Sequence, residues 1–320
     1  VGAHDINYVL EGPAEGPTIV FVNGLTQYLQ LWAGYTQALT ARGYRVLSYD
    51  MLGQGRSSKP VISIDLPGHV QVLDALMAGL GIGSAHVAGI SFGGIIALKL
   101  AIQHPERTRS LVAMSTFAEL TPQLELMGQC LYEGLAQAGL PYLQGLLMPM
   151  NLSSAWIERH RAAIPEMKRT GYVINDLYAL QNLMESFTTF QPFTRDLERI
   201  RCPTLILHGE HDFLTPRDCH ETLRRHIPGS RLVIIQHGYH AFTLEHPGVV
   251  ARQVDDFVRG VEDGAWVGDQ SVWVASEDPA DPVGAVPFPG DHMRMIHFPP
   301  AGEETPPAPA RARRGGKRHG

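Results

Sequence analysis

The chain has 320 residues, 44% of them hydrophobic and 18% charged, with 26 Lys and Arg against 32 Asp and Glu. That composition excludes a disordered or collagen-like chain and allows a sizeable core, in one large domain with an insertion or in two. The formal charge of −6 includes five basic residues near the end, Arg311, Arg313, Arg314, Lys317 and Arg318, so the body before them is acidic enough to repel nucleic acid. No apolar run approaches the roughly 18 residues of a membrane span. The first twenty residues lack the basic start and apolar middle of a secretion signal. The resulting expectation is a cytoplasmic protein without a membrane span. Cys130, Cys202 and Cys219 have no paired C-x-x-C spacing, which argues against a zinc site or a disulfide framework and reads as packing.

In chain order, residues 4–10 read as an edge strand. Short runs apolar on both faces follow at 18–22, 45–49, 86–90, 110–114, 204–207 and 231–235, as suits central strands of a covered, mostly parallel sheet. Stretches with apolar residues three or four apart lie among them, at 31–41, 69–80, 94–103, 216–226 and 247–261, as crossover helices require. The alternation predicts an α/β fold. It breaks once, after Phe117, where helical spacing rich in Leu and Met is interleaved with Pro122, Pro141, Pro149 and Pro165. Residues 1–117 and 201–262 are therefore expected to form the sheet core, and 118–200 a helical cap whose greasy face is offered to an apolar small-molecule substrate. Nine prolines fall after Gly264. Residues 263–301 read as an extension with two short strands at 271–275 and 292–298, its tryptophans packed on the back of the sheet beside helix 247–261. Residues 302–320 read as a disordered basic tail. Nothing in the sequence sets an oligomeric state.

The sharpest chemical signal is Gly89-Ile90-Ser91-Phe92-Gly93-Gly94, directly after one strand and before a helix. A serine on so tight a turn is forced into a strained backbone, small residues two positions either side let neighbouring segments approach, and the helix N-terminus faces the forming oxyanion. A serine hydroxyl needs a base, and the base an acid. Among 15 histidines, His240 lies in a loop just after strand 231–235, with His237 as its rival. Asp212 follows strand 204–207, with Glu210 and Asp218 as alternatives and Asp218 read as a helix cap. His69, His86, His208 and His211 read as structural or surface residues. Asp50 and the loop after it are expected to shape the site. The order Ser91, Asp212, His240 is the one that accompanies this turn motif. The oxyanion donors are expected to be the amides of Phe92 and Leu25, with Thr26 as fallback. The expected pocket adds Asn23, Thr26, Met127, Leu131 and Phe213.

Residues from about 4 to 261 resemble the α/β-hydrolase superfamily, in its cap-bearing esterase-like branch. The resemblance implies a Ser91, Asp212, His240 triad working without metal or organic cofactor. This chain departs from the usual pattern at Asn23-Gly24, where His-Gly is common, and at Tyr239, where glycine commonly precedes the histidine. Asn23-x-Leu25 together with Gly-x-Ser-x-Gly-Gly looks like 3-oxoadipate enol-lactonases, which implies a lactone or small ester as substrate. Ser91 in place of aspartate argues against haloalkane dehalogenase and epoxide hydrolase chemistry, and Ile90 disfavours type II thioesterases. Thioester hydrolysis, carbon-carbon bond hydrolysis and perhydrolysis use the same triad. A non-enzymatic small-molecule receptor on the same fold is the other class, motivated by the extension.

Overall fold

The structure, a computed structural model, describes residues 4–277 and 293–297. Strand β1 (Tyr8–Glu11) leads into β2 (Thr18–Val22), α1 (Ala33–Thr40), β3 (Arg45–Tyr49), α2 (Leu66–Gly79), β4 (Ala85–Ile90), α3 (Phe92–Gln103) and β5 (Thr108–Met114). Four helices follow without a strand: α4 (Pro122–Asn151), α5 (Ser154–Arg159), α6 (Ile164–Ile174) and α7 (Leu177–Glu185). The alternation then resumes with β6 (Thr204–Gly209), α8 (Arg217–His226), β7 (Ser230–Ile235), the short α9 (Phe242–Glu245), α10 (Pro247–Glu262), β8 (Val272–Ser276) and β9 (Met293–His297).

The strands form one sheet in the order β1-β3-β2-β4-β5-β6-β7-β8-β9, antiparallel only between β1 and β3. Side chains alternate across a strand, so β2 sends Val20 and Val22 into one core with α2 and α3, and Ile19 and Phe21 into another with α1 and α10. Both faces are thus buried, which is why the central strands are predominantly apolar. The chain turns from β2 outward to β3 on one side and to β4 on the other. The carboxyl ends beside that reversal are where open α/β sheets place their ligands.

The extension differs from its expected placement. Trp266 does pack on α10, its ring 4.6 Å from that of Phe257 and nearly perpendicular to it. The segment after it, however, joins the sheet edge, β8 pairing in parallel with β7 from Leu232–Val272 to Ile235–Ala275. Strand β7 would otherwise end the sheet with a row of unpaired backbone groups, and an added strand removes that edge. The Arg231 guanidinium sits between Trp266 and Trp273, 4.5 Å from each ring, joining the segment to β7 by side chains as well. The tail at 302–320 lies outside the described residues. Cys202 and Cys219 are at least partly buried, whereas Cys130 is exposed on α4 and fills no core. Among the described residues, no helix is long and apolar enough to cross a membrane.

Several histidines are buried in this framework. Burial pushes His69 and His220 down to about 4 from the ordinary 6.5, and pushes His208 well below it. The unfolded chain takes up a proton on each near 6.5 while the folded chain does not, so between about 6.5 and 4 the unfolded state holds more protons and stability falls as pH falls. The slope reaches about 1.4 kcal/mol per pH unit for each such histidine. The midpoint of urea unfolding is therefore expected to drop steeply from pH 6.5 to 4. A flat profile over that window would contradict the burial of these rings.

Candidate active site

Ser91 stands between β4 and α3 with φ 54° and ψ −119°, a backbone that a non-glycine residue adopts only when its surroundings impose it. The imposition is visible. Its amide donates to Met114 O at 2.9 Å, and its carbonyl accepts from Gly94 N–H at 2.9 Å and from the Thr116 hydroxyl at 2.8 Å. Glycine is required at three neighbouring positions. A Cβ on Gly89 would lie 2.2 Å from Gly93 O, one on Gly93 2.3 Å from Asn23 O, and one on Gly94 2.5 Å from Thr116 Cβ. The helix and the ends of β2 and β5 are thereby drawn tightly around the serine.

His240 follows β7 and is buried, and its Nδ1 lies 3.0 and 2.9 Å from the two Asp212 oxygens. An imidazole whose Nδ1 faces a carboxylate keeps its proton there and leaves Nε2 as the proton acceptor. Asp212 also accepts from the amides of Leu214 and Thr215, each at 3.0 Å, and from the Thr215 hydroxyl at 2.8 Å. Burial alone would raise its carboxyl, but the adjacent His240, then His208 and the Thr215 amide, outweigh it and hold the group well below the usual carboxylate range. Its neighbours thus favour the ionised form of Asp212 beside His240.

The loop after β2 closes the other side. Gly24 is held by Gln27 Oε1 on its amide and by Gln54 Nε2 on its carbonyl, at 2.8 and 2.9 Å, and a Cβ there would be 3.3 Å from Ser91 Cβ. Thr26 has φ 65°, a strained value for a β-branched residue, and its carbonyl accepts from Asn175 of the inserted helices at 3.1 Å. Ser91, His240, Leu25, Thr26 and Phe92 all line one cavity of about 790 Å³, roofed by the inserted helices with Met127, Leu131 and their neighbours.

Two expected pocket residues lie elsewhere. Asn23 is fully buried with its side chain turned into the body, donating to Tyr49 O at 2.9 Å and accepting from Trp32 Nε1 at 2.6 Å, so it supports the loop from beneath. Phe213 is 41% exposed and does not line the cavity: this irregular loop turns Asp212, Leu214 and Thr215 inward and Phe213 to solvent. The rivals separate as well: His237 is half exposed, and Glu210 accepts the His237 amide at 2.8 Å rather than facing His240. Asp218 lies in the first turn of α8, where Pro216 holds the cap position without a side-chain bond, so it is not the cap that was expected. Asp50 is buried and accepts the amides of Leu29 and Arg56, a structural role. Thr215, Ser115 and Thr116 were not legible as site residues; Ser115 has φ 42° and donates to His240 O at 3.0 Å. Among the described residues, the side chains of Glu210, His211 and His237 bring three donor atoms within 4.8 Å of one another, on the outer side of the loops and away from the cavity lining.

The model of the alpha/beta hydrolase fold family matches residues 17–247. The chain belongs to that family. At that level this α/β hydrolase resembles a Caulobacter protein provisionally named carbamate hydrolase RutD, 29% identical over 259 residues that cover 78% of this chain and 93% of the relative. It resembles the pimeloyl-[acyl-carrier protein] methyl ester esterase of Neisseria meningitidis, 30% identical and covering 66% of this chain and 88% of the relative. The solved enol-lactonase of Burkholderia xenovorans superposes with a TM-score of 0.74 at 24% identity, over 81% of this chain and 98% of that one, a likeness of fold alone.

Proposed function

We propose that this hydrolase cleaves a carboxylic ester or lactone with a largely apolar acyl part of medium length, through an acyl-enzyme on Ser91. His240 Nε2 takes the serine proton and later returns it to the leaving group. Asp212 holds the ring and stabilises its charged form. The amides of Phe92, at the start of α3, and Leu25 receive the oxyanion, each worth about 3 to 4 kcal/mol to the transition state. The observation that carries this reading is the strained Ser91 opening into the same apolar cavity as a histidine whose Nδ1 is bonded to a buried carboxylate. No step requires a metal or cofactor.

The acyl length is argued from the cavity. Its volume of about 790 Å³ lies in the upper part of the range of roughly 300 to 1,000 Å³ for small-molecule sites, and its wall carries Leu, Met and Phe from the inserted helices. Each methylene buried there contributes about 0.8 kcal/mol, close to fourfold. Specificity constants for p-nitrophenyl esters are therefore expected to rise at least tenfold from acetate to octanoate, and the rise to flatten in Met127→Ala with Leu131→Ala. Acetate cleaved as well as octanoate would refute the apolar assignment. The described part of the extension is taken up in the sheet edge, β8 pairing with β7 and β9 with β8.

A further inference from the structure

Three hydrogen bonds and a small apolar cluster tie the inserted helices to the loop that carries His240. Glu245 ends α9 and is buried, and both its carboxylate oxygens are taken by backbone amides: Oε2 accepts from Tyr239 N–H at 2.8 Å and Oε1 from Ser153 N–H at 2.6 Å. Tyr239 immediately precedes the histidine, and Ser153 is the N-cap of α5. Alongside, Ala241 N–H donates to Asn151 O at 3.0 Å and the Trp156 indole to Leu244 O at 3.2 Å. Leu152, Trp156 and Ala241 form a core of their own, apart from the two beside the sheet, with Met148 and Leu244 packed on it. The cavity reaches this junction, since Met148, Leu152, Ala241 and Leu244 line it together with His240, whereas Glu245 does not line it.

We propose that Glu245 is a positioning residue that makes the placement of His240 depend on the inserted helices, so that a substrate long enough to reach Met148 and Leu152 is turned over by a better-held base than a short one. The proposal rests on His240 being the base. An acyl chain packed on Met148 and Leu152 presses segment 151–156 into its seat. Through the Ser153 amide and Glu245 it then fixes the Tyr239 amide, and with it the peptide that enters His240. A short acyl group leaves that segment to its hydrogen bonds alone. Selectivity for length then appears in kcat, because binding energy remote from the reacting bond is used to orient the catalytic group.

Ser153 allows the link to be cut without touching Glu245. Its φ of −68° and ψ of 154°, after an extended Leu152 at φ −133° and ψ 143°, admit proline. Ser153→Pro removes the amide hydrogen together with the capping hydroxyl, and Ser153→Ala removes the hydroxyl alone. On the full chain, the measurements are kcat and KM for p-nitrophenyl acetate and octanoate, together with hydrogen exchange of the Tyr239 amide. Ser153→Ala is expected to behave like the wild type. Ser153→Pro is expected to lose about tenfold in kcat on octanoate with little change in KM or in acetate turnover, and to exchange the Tyr239 amide faster. Glu245→Gln, whose amide nitrogen would face an N–H donor, should reproduce the pattern. Equal octanoate kcat and equal Tyr239 exchange in the proline and alanine variants would overturn the proposal. A wild type that cleaves neither ester would overturn the substrate reading alone, and faster Tyr239 exchange in Ser153→Pro than in Ser153→Ala would still uphold the link.

Discussion

Replacing Ser91 by alanine is expected to lower ester turnover by about four orders of magnitude or more while leaving the melting temperature nearly unchanged. The two halves of that expectation have separate causes. Activity is expected to depend on the hydroxyl because Ser91 occupies the tip of the turn, where the start of α3 and the Gly24–Thr26 loop converge. Stability does not depend on it, because the turn is held by the Ser91 backbone, through Met114, Gly94 and Thr116, and alanine keeps every one of those bonds. Rates within about tenfold of the wild type, in enzyme freed of contaminating esterase, would remove Ser91 from the mechanism.

Gly93→Ala is expected to fail at an earlier stage, by destabilising the fold. Its new methyl group would lie 2.3 Å from Asn23 O and 2.4 Å from Val22 O, and both are backbone atoms that no rotamer change can move aside. Overpacking of a core typically costs about 1 to 3 kcal/mol and more where neighbours cannot yield. With backbone on the receiving side, the upper end of that range applies. A fall in melting temperature of roughly 5 to 10 °C, or recovery of the protein only in the insoluble fraction, is the expected result. Activity should fall as well, since relieving the clash pushes α3 and its serine away from the Gly24–Thr26 loop. A variant with wild-type melting temperature and turnover would show that the turn is looser than its contacts imply.

The sheet was legible in the sequence where burial on both faces left no ambiguity of period. The strands at 18–22 and 45–49 begin and end as read, because Ile19, Val20, Phe21 and Val22 all have to be apolar. Helix α3 starts at Phe92, two residues before its apolar spacing suggests, since the chain enters it through the positive φ of Ser91, which no pattern announces. The pocket is less legible. Loop membership placed Asn23 and Phe213 near the serine but carried no side-chain direction, and one turns into the body while the other turns to solvent. Thr116 and Glu245 escaped for a different reason. Their partners lie 25 and 92 residues away, and an ordinary threonine or glutamate gives no local sign of a distant pairing. The β8 segment was found as a strand, but its place at the edge follows from the open side of β7, which only the strand order shows.

The central claim is that Ser91 is activated as a nucleophile by His240, and mass spectrometry after labelling with a fluorophosphonate tests it most directly. The phosphorus is attacked by the activated serine with loss of fluoride, so the reaction needs the nucleophile and its base but no knowledge of the natural substrate. One adduct per chain is expected, on the peptide that contains Ser91, absent in Ser91→Ala and formed far more slowly in His240→Ala. An adduct on any other residue, or ester turnover that persists in a chain the reagent does not label, would contradict the account.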